Sequence, residues 1–301
     1  MKIMMNPIVK KDLRVAARSM RLSWGLFAYE AVLTLAFLLA LIVIKSESGN
    51  IYSSGNIYSY LIYLFPVIAI VQVCIVTLIT PIITASSISG EKERQTFDIM
   101  LTTCMSPFSI VLGKVASAVL RILFYVMASL PIMALSFVVG GMKWSTLFLY
   151  LLTIILLAVF CGSIGIMCSA FCRKSIAAVI VSFVFYLVIF GMSFLPMLLR
   201  LIFGRDSVGE SLLLLLGNPI VFYEEFFMII MTGESLLGNT PFGRKEVGLI
   251  TYGLTHGQVW IFVSATCILL LAIVFMLVAA WKVNPMNTSI IRKGKKKKEG
   301  N

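Results

Sequence analysis

Charge returns abruptly after a long apolar run at Gly90-Glu91-Lys92-Glu93-Arg94-Gln95, and Thr96-Phe97-Asp98-Ile99-Met100-Leu101 follows at once. The alternating carboxylates and cations offer polar contacts to a partner, while Phe97, Ile99, Met100 and Leu101 are apolar anchors that could seat in a groove. A charged inner segment between two membrane spans is what a membrane protein needs to receive force from a soluble partner. A merely solvated loop would have much the same composition, and the residues alone leave both readings open.

Other chemistry is sparse, and no catalytic constellation stands out. The phosphate-cradling pattern Gly-x-x-x-x-Gly-Lys-Ser/Thr is absent, as is His-Glu-x-x-His. His256 is the only histidine and cannot build a metal site by itself. Six cysteines are present, Cys74, Cys104, Cys161, Cys168, Cys172 and Cys267, none in a long external loop, and they read as free thiols used as small hydrophobes. Glu224 and Glu225 could pair as an intramembrane acid site, but their expected role is to hold a re-entrant helix at the outer surface. Glu30 interrupts an apolar run near one end, where a hydrogen bond to a neighbouring helix is as reasonable as a substrate contact. No catalytic residue, metal site or cofactor is therefore expected in this chain.

The elements that must position these residues follow from composition. Sixty per cent of the 301 residues are hydrophobic, and mean hydropathy is +1.01. Soluble chains hold nearer 45–50% apolar residues, so the remainder must face lipid. The net charge of +12 does not indicate nucleic acid, because the cations fall between apolar runs rather than on a polar, aromatic-rich surface. They read instead as topology signals.

The expected fold is an all-α polytopic membrane protein with six transmembrane helices, at about 24–44, 60–83, 122–139, 147–170, 177–199 and 260–283. Before them, Lys10, Lys11, Arg14, Arg18 and Arg21 alternate with Val9, Leu13 and Met20, which suits a basic helix over 1–22 lying in the membrane interface. The first apolar run has no small-residue cleavage site after it and is expected to stay as an anchor. Ser106-Pro107 supplies an N-cap and a first-turn proline for a new helix, and Lys114 and Arg121, seven residues apart, are expected to snorkel to the headgroups. Gly140-Gly141-Met142-Lys143 reads as a tight turn, and Gly162 and Gly165 as a close helix contact.

Between spans five and six, 205–257 is not simply polar. Asn218 as N-cap with Pro219 behind it starts an apolar helix that Glu224 and Glu225 interrupt. A seventh span would place the polybasic tail, 284–301, outside. Six spans with an outer re-entrant segment put the tail and the basic N-terminus in the cytoplasm, as the positive-inside tendency prefers. Arg173 and Lys174 between spans four and five agree.

The run Ser89-Gly90-Glu91-Lys92-Glu93-Arg94-Gln95-Thr96-Phe97-Asp98-Ile99-Met100-Leu101, with Ser106-Pro107 and Gly113-Lys114 after it, resembles the signature of type-2 ABC transporter permeases. Gln95 stands where that family usually has glycine, and Asp98 where glutamate is commoner. The opening Asn6-Pro7-Ile8-Val9-Lys10-Lys11-Asp12-Leu13-Arg14 is also similar to family N-termini. The resemblance implies the permease subunit of an ATP-driven exporter in the plasma membrane. It would pair with a second permease, identical or related, and with two separate ATPase subunits that bind ATP and magnesium. The coupling segment, 88–110, would seat in the ATPase through Glu91, Lys92, Glu93, Arg94, Thr96, Phe97, Asp98, Met100 and Leu101. The basic helix would be the elbow helix. An ion-coupled secondary transporter predicts repeat symmetry and ion ligands in broken helices, and a membrane enzyme predicts paired acids or histidines in spans. Neither pattern is present. A non-transporting sensor or scaffold shares the same layout. Substrate identity is not written in the sequence.

Overall fold

The computed structural model of the protein describes residues 7–50, 61–96, 106–195, 198, 202, 215–235 and 259–284. Among these residues no strand occurs, and six helices are long and apolar enough to cross a membrane. In chain order the helices are α1 (Pro7–Ala17), α2 (Met20–Asn50), α3 (Leu64–Glu93), α4 (Pro107–Val139), α5 (Trp144–Phe171), α6 (Ser175–Gly191), α7 (Pro219–Thr232) and α8 (Val259–Val283). The spans are α2 to α6 and α8. The chain divides into two compact units, Met1–Val179 with Met276–Asn301, and Ile180–Phe275.

In the first unit α3, α4 and α5 pack against one another, α2 packs on α3 and α4, and α1 packs on α4. Lipid tails are as apolar as leucine, so hydrophobicity cannot hold spans together. Close packing and buried hydrogen bonds must do it. Both are present. Thr84 of α3 sits against the Gly162/Gly165 pair of α5, and a Cβ added at Gly165 would lie 1.9 Å from Thr84 Oγ1. The aromatic rings Phe65, Phe137 and Tyr150 stack edge-to-face where α3, α4 and α5 meet.

A buried polar chain then links four spans. Tyr29 of α2 donates to Ser129 Oγ of α4 (3.2 Å), and Gln72 of α3 donates to the same oxygen (2.9 Å). Tyr150 of α5 completes it, its hydroxyl 3.0 Å from the Ala69 carbonyl and 3.2 Å from Gln72 Oε1. Each of these polar side chains is almost fully shielded, so an orphaned member would carry its full desolvation cost.

Three boundaries at the charged end differ from the sequence expectation, and α2 runs on to Asn50, past the expected 44. The basic helix stops at Ala17. Ser19 bonds back to the Ala16 carbonyl, which leaves Arg18 in the turn, and Arg21 and the exposed Met20 in α2. Span two does not end near residue 83 but stays helical to Glu93. Hydropathy falls there because serines and threonines enter, yet their hydroxyls bond carbonyls one turn back: Thr80 to Val76, Thr84 to Thr80, Ser89 to Ala85. Span three starts at Pro107, as the Ser106-Pro107 pair indicates, and Ser106 Oγ accepts from Ser109 N (3.2 Å). It then runs unbroken for 33 residues.

The glycine contact gives a graded test. Gly165→Ala is expected to destabilise the protein by about 1–3 kcal/mol through overpacking against Thr84. Gly162→Ala, whose nearest neighbour would be 3.8 Å away, should leave thermal unfolding in detergent unchanged. Thr84→Ala in the Gly165→Ala background should recover part of the loss.

Candidate functional site

The helical extension of α3 carries Glu91, Lys92 and Glu93 to the end of the bundle where α4 begins, and each points to a different helix. Glu91 accepts a hydrogen bond from Lys114 Nζ of α4 at 2.7 Å. Lys114 also pairs with Asp12 of α1 at 3.2 Å, and Ser117 Oγ donates to the same Asp12 oxygen. Lys114 is only 4% exposed, its two carboxylates 17% and 19%. The expectation that Lys114 snorkels to the headgroups is therefore corrected. Two carboxylates within hydrogen-bonding distance hold the ammonium more firmly than a mobile lipid could, and α1 is docked on α4 as a result.

Lys92 reaches α5. Its Nζ donates to the Ser169 and Cys172 carbonyls, both at 3.3 Å, and to that of Ala170. These are end-of-helix carbonyls, and a cation there also meets the negative end of the helix dipole. Glu93 does the converse at α6. Its two oxygens accept from Ser175 N (3.0 Å) and Ser175 Oγ (2.7 Å), placing a carboxylate at a helix N-terminus. Three successive residues thus tie α3 to α4 with α1, to the end of α5, and to the start of α6. Nearby, Lys282 of α8 lies over the Phe171 ring at 5.4 Å.

Helix α3 closes in a Schellman motif: Thr96 N bonds the Glu91 carbonyl (3.0 Å) and Gln95 N the Lys92 carbonyl (3.2 Å). Gln95 occupies the left-handed position, with φ of 57°. At the far end of α4 the same motif uses Gly141, with φ of 65°. Glycine accepts that conformation without strain, whereas a side chain costs roughly 1–2 kcal/mol. The substitution noted at Gln95 therefore has a backbone consequence that spacing alone did not reveal.

Of the remaining residues singled out, Arg94 and Thr96 are exposed beyond the tied turn. Phe97, Asp98, Met100 and Leu101 lie outside the described residues. On α1, Lys10, Lys11 and Arg14 are exposed, as is Val15, and Val9 is buried. In the second unit Asn218 caps α7 as anticipated, accepting from Ile220 N (3.0 Å) with Pro219 in the first turn. Its Nδ2 also donates to the Ile189 carbonyl and to Ser193 Oγ. Glu224 is exposed, but Glu225 is fully buried, so the chain does not present both at its surface. Glu30 is half-buried, and its Oε1 finds no hydrogen-bond partner among the described residues. Among those residues no group of three or more histidine, cysteine, aspartate or glutamate side chains gathers for a metal. Asp12 and Ser117 were not anticipated. A lone acid in a basic helix was the signal available for Asp12.

Six membrane-crossing helices, with an amphipathic helix clamped to the charged end of α4 in the first unit, define a multi-pass membrane protein. Residues 8–196 match the family described as ABC-2 type transporter, and the chain belongs to that family as a membrane-spanning permease component. No curated protein matches the chain.

Two stability effects follow. Lys114→Met strands two carboxylates and is expected to cost about 3 kcal/mol, the lower end of the range for a broken buried pair because both acids are partly exposed. Adding Asp12→Asn and Glu91→Gln should recover most of that loss, read as thermal unfolding of the purified protein. Separately, Gln95→Gly is expected to stabilise by about 0.5–1 kcal/mol, the relieved backbone strain less the added unfolded-state freedom of glycine.

Proposed function

We propose that this chain is the permease half of an ATP-driven exporter in the plasma membrane, with both termini in the cytoplasm. It works with a second permease, identical or related, and with two separate ATPase subunits that hold ATP and magnesium. One observation carries the reading: Glu91, Lys92 and Glu93, which in the chain immediately precede the segment from Arg94 to Ser106, tie α3 to α1, α4, α5 and α6. A push on that segment is delivered to five helices at once rather than absorbed in a flexible loop.

The run divides by role. Glu91, Lys92 and Glu93 have partners within the chain and hold the helices together. Arg94 and Thr96, exposed, with Phe97, Asp98, Met100 and Leu101 beyond them, meet the ATPase. Helix α1 is the elbow helix, with Lys10, Lys11 and Arg14 on the inner-leaflet headgroups. Closure of the ATPase dimer on ATP drives the coupling segment, and the ion-paired turn passes the displacement to the spans. The polybasic tail and the basic N-terminus support this orientation.

Affinity purification of the tagged chain in mild detergent tests it. An ATPase carrying Walker motifs is expected to co-purify, and Arg94→Glu with Phe97→Ala should release it while leaving the thermal stability of the permease intact. A clean, monomeric preparation with no ATPase would sink the proposal.

A further inference from the structure

The first unit contains a cleft of about 920 Å³ between α1, α2, α3 and α4 whose lining changes character along its length. One wall is Ile79, Ile82 and Ile83 of α3; the other end holds Lys11, Arg94 and Arg121. Helix lengths set its depth in the membrane. At 1.5 Å per residue, α4 is about 50 Å long and exceeds a hydrocarbon core of about 30 Å by some 20 Å. Measured from the Val139 end, the core is used up close to Arg121. Measured along α3 from Leu64, it is used up close to Ile83. The isoleucine wall therefore lies at acyl-chain depth, Arg121 at the boundary, Lys11 beside the Asp12–Lys114 pair about two turns further out, and Arg94 about 15 Å past the core, beyond the headgroups.

Charge within the cleft points the same way. Lys114 is taken by Asp12 and Glu91, and Asp12 also faces Arg121. Arg121 is half-buried, and the hydrogen bond the structure gives it is from Nε to the Ser117 carbonyl at 3.3 Å, which leaves the outer face of its guanidinium for an incoming acceptor. Lys11 is exposed at the mouth and is in no ion pair among the described residues, while Arg94 has the exposed Glu93 carboxylate beside it in the same lining. A guanidinium at the boundary with the Lys11 ammonium above it suits a phosphate, which arginine binds through a pair of parallel hydrogen bonds. The isoleucine wall suits a chain.

We infer that this cleft is a binding site for an anionic phospholipid of the surrounding membrane, its headgroup phosphate on Arg121 with Lys11, and an acyl chain along Ile79, Ile82 and Ile83. The volume falls within the range of small-molecule sites and matches a headgroup with one chain rather than a whole two-chain lipid, so the second chain stays in the bilayer. Because Asp12 and Glu91 shape the same cleft, the bound lipid would fill the gap between α1 and the bundle. The inference needs only that the chain is membrane-embedded and stands whether or not an ATPase is captured.

Native mass spectrometry of the full-length protein in detergent, with added phosphatidylglycerol or phosphatidylcholine, is the test. One phosphatidylglycerol is expected to be retained per chain, about tenfold more tightly than phosphatidylcholine. Arg121→Gln should abolish that preference and Arg121→Lys should keep most of it, which separates charge recognition from misfolding. Ser86→Trp, an exposed position in the cleft, should exclude the lipid while leaving unfolding temperature unchanged. Equal retention of both lipids, with no effect of Arg121→Gln, would overturn the site in favour of ordinary boundary lipid. Displacement of phosphatidylglycerol by inorganic phosphate alone would overturn the lipid assignment in favour of a free-anion site.

Discussion

A lysine ammonium removed from water must find negative charge nearby or lose its proton, and Lys114 is 4% exposed on a membrane-crossing helix. It finds two carboxylates, Glu91 from the end of the preceding span and Asp12 from the amphipathic helix. The order of the charged end depends on that arrangement. Helix α3 must stay helical past the fall in hydropathy near residue 83 to deliver Glu91. Helix α1 must lie along α4 to deliver Asp12. With those two constraints satisfied, the neighbouring Lys92 and Glu93 fall opposite the end of α5 and the start of α6, where their charges complement the helix dipoles.

The rest of the first unit solves a different problem, holding helices together in a solvent as apolar as they are. Water cannot drive the association, so the spans rely on a glycine pair that lets α5 approach Thr84 and on a hydrogen-bonded chain through Tyr29, Ser129, Gln72 and Tyr150. Those contacts bind the middle of the bundle, and the ion pairs bind its end. The charged turn thereby joins α3, α4, α5 and α6 with α1 through side-chain contacts rather than through the connecting loops.

The second unit is built on another capping residue. Asn218 closes the N-terminus of α7 and, through its amide nitrogen, holds the Ile189 carbonyl and Ser193. Ser264 of α8 bonds the Leu216 carbonyl, and Trp260 packs with Leu215 and Val221. A short helix whose start is fixed by one side chain and whose interior holds a fully buried Glu225 is a defined structural element rather than a loop.

Much of this was legible without coordinates. The six spans, the start of α4 at Ser106-Pro107, the cap at Asn218-Pro219, the turn at Gly140-Gly141 and the close contact at Gly162 and Gly165 all rest on local preferences: residue apolarity, side-chain capping, glycine's backbone freedom. Those effects act within one or two helical turns and are therefore written in the sequence. What only the tertiary structure decided is where each charge goes. Glu91, Lys92 and Glu93 read as one solvent-facing run because nothing local says that Lys114, the end of α5 and Ser175 converge on them. Asp12 could not be paired with a residue 102 positions away by spacing. Charge interactions in a low dielectric are strong but act through space. Sequence names the ions and the helices that carry them, and the fold alone selects the partners.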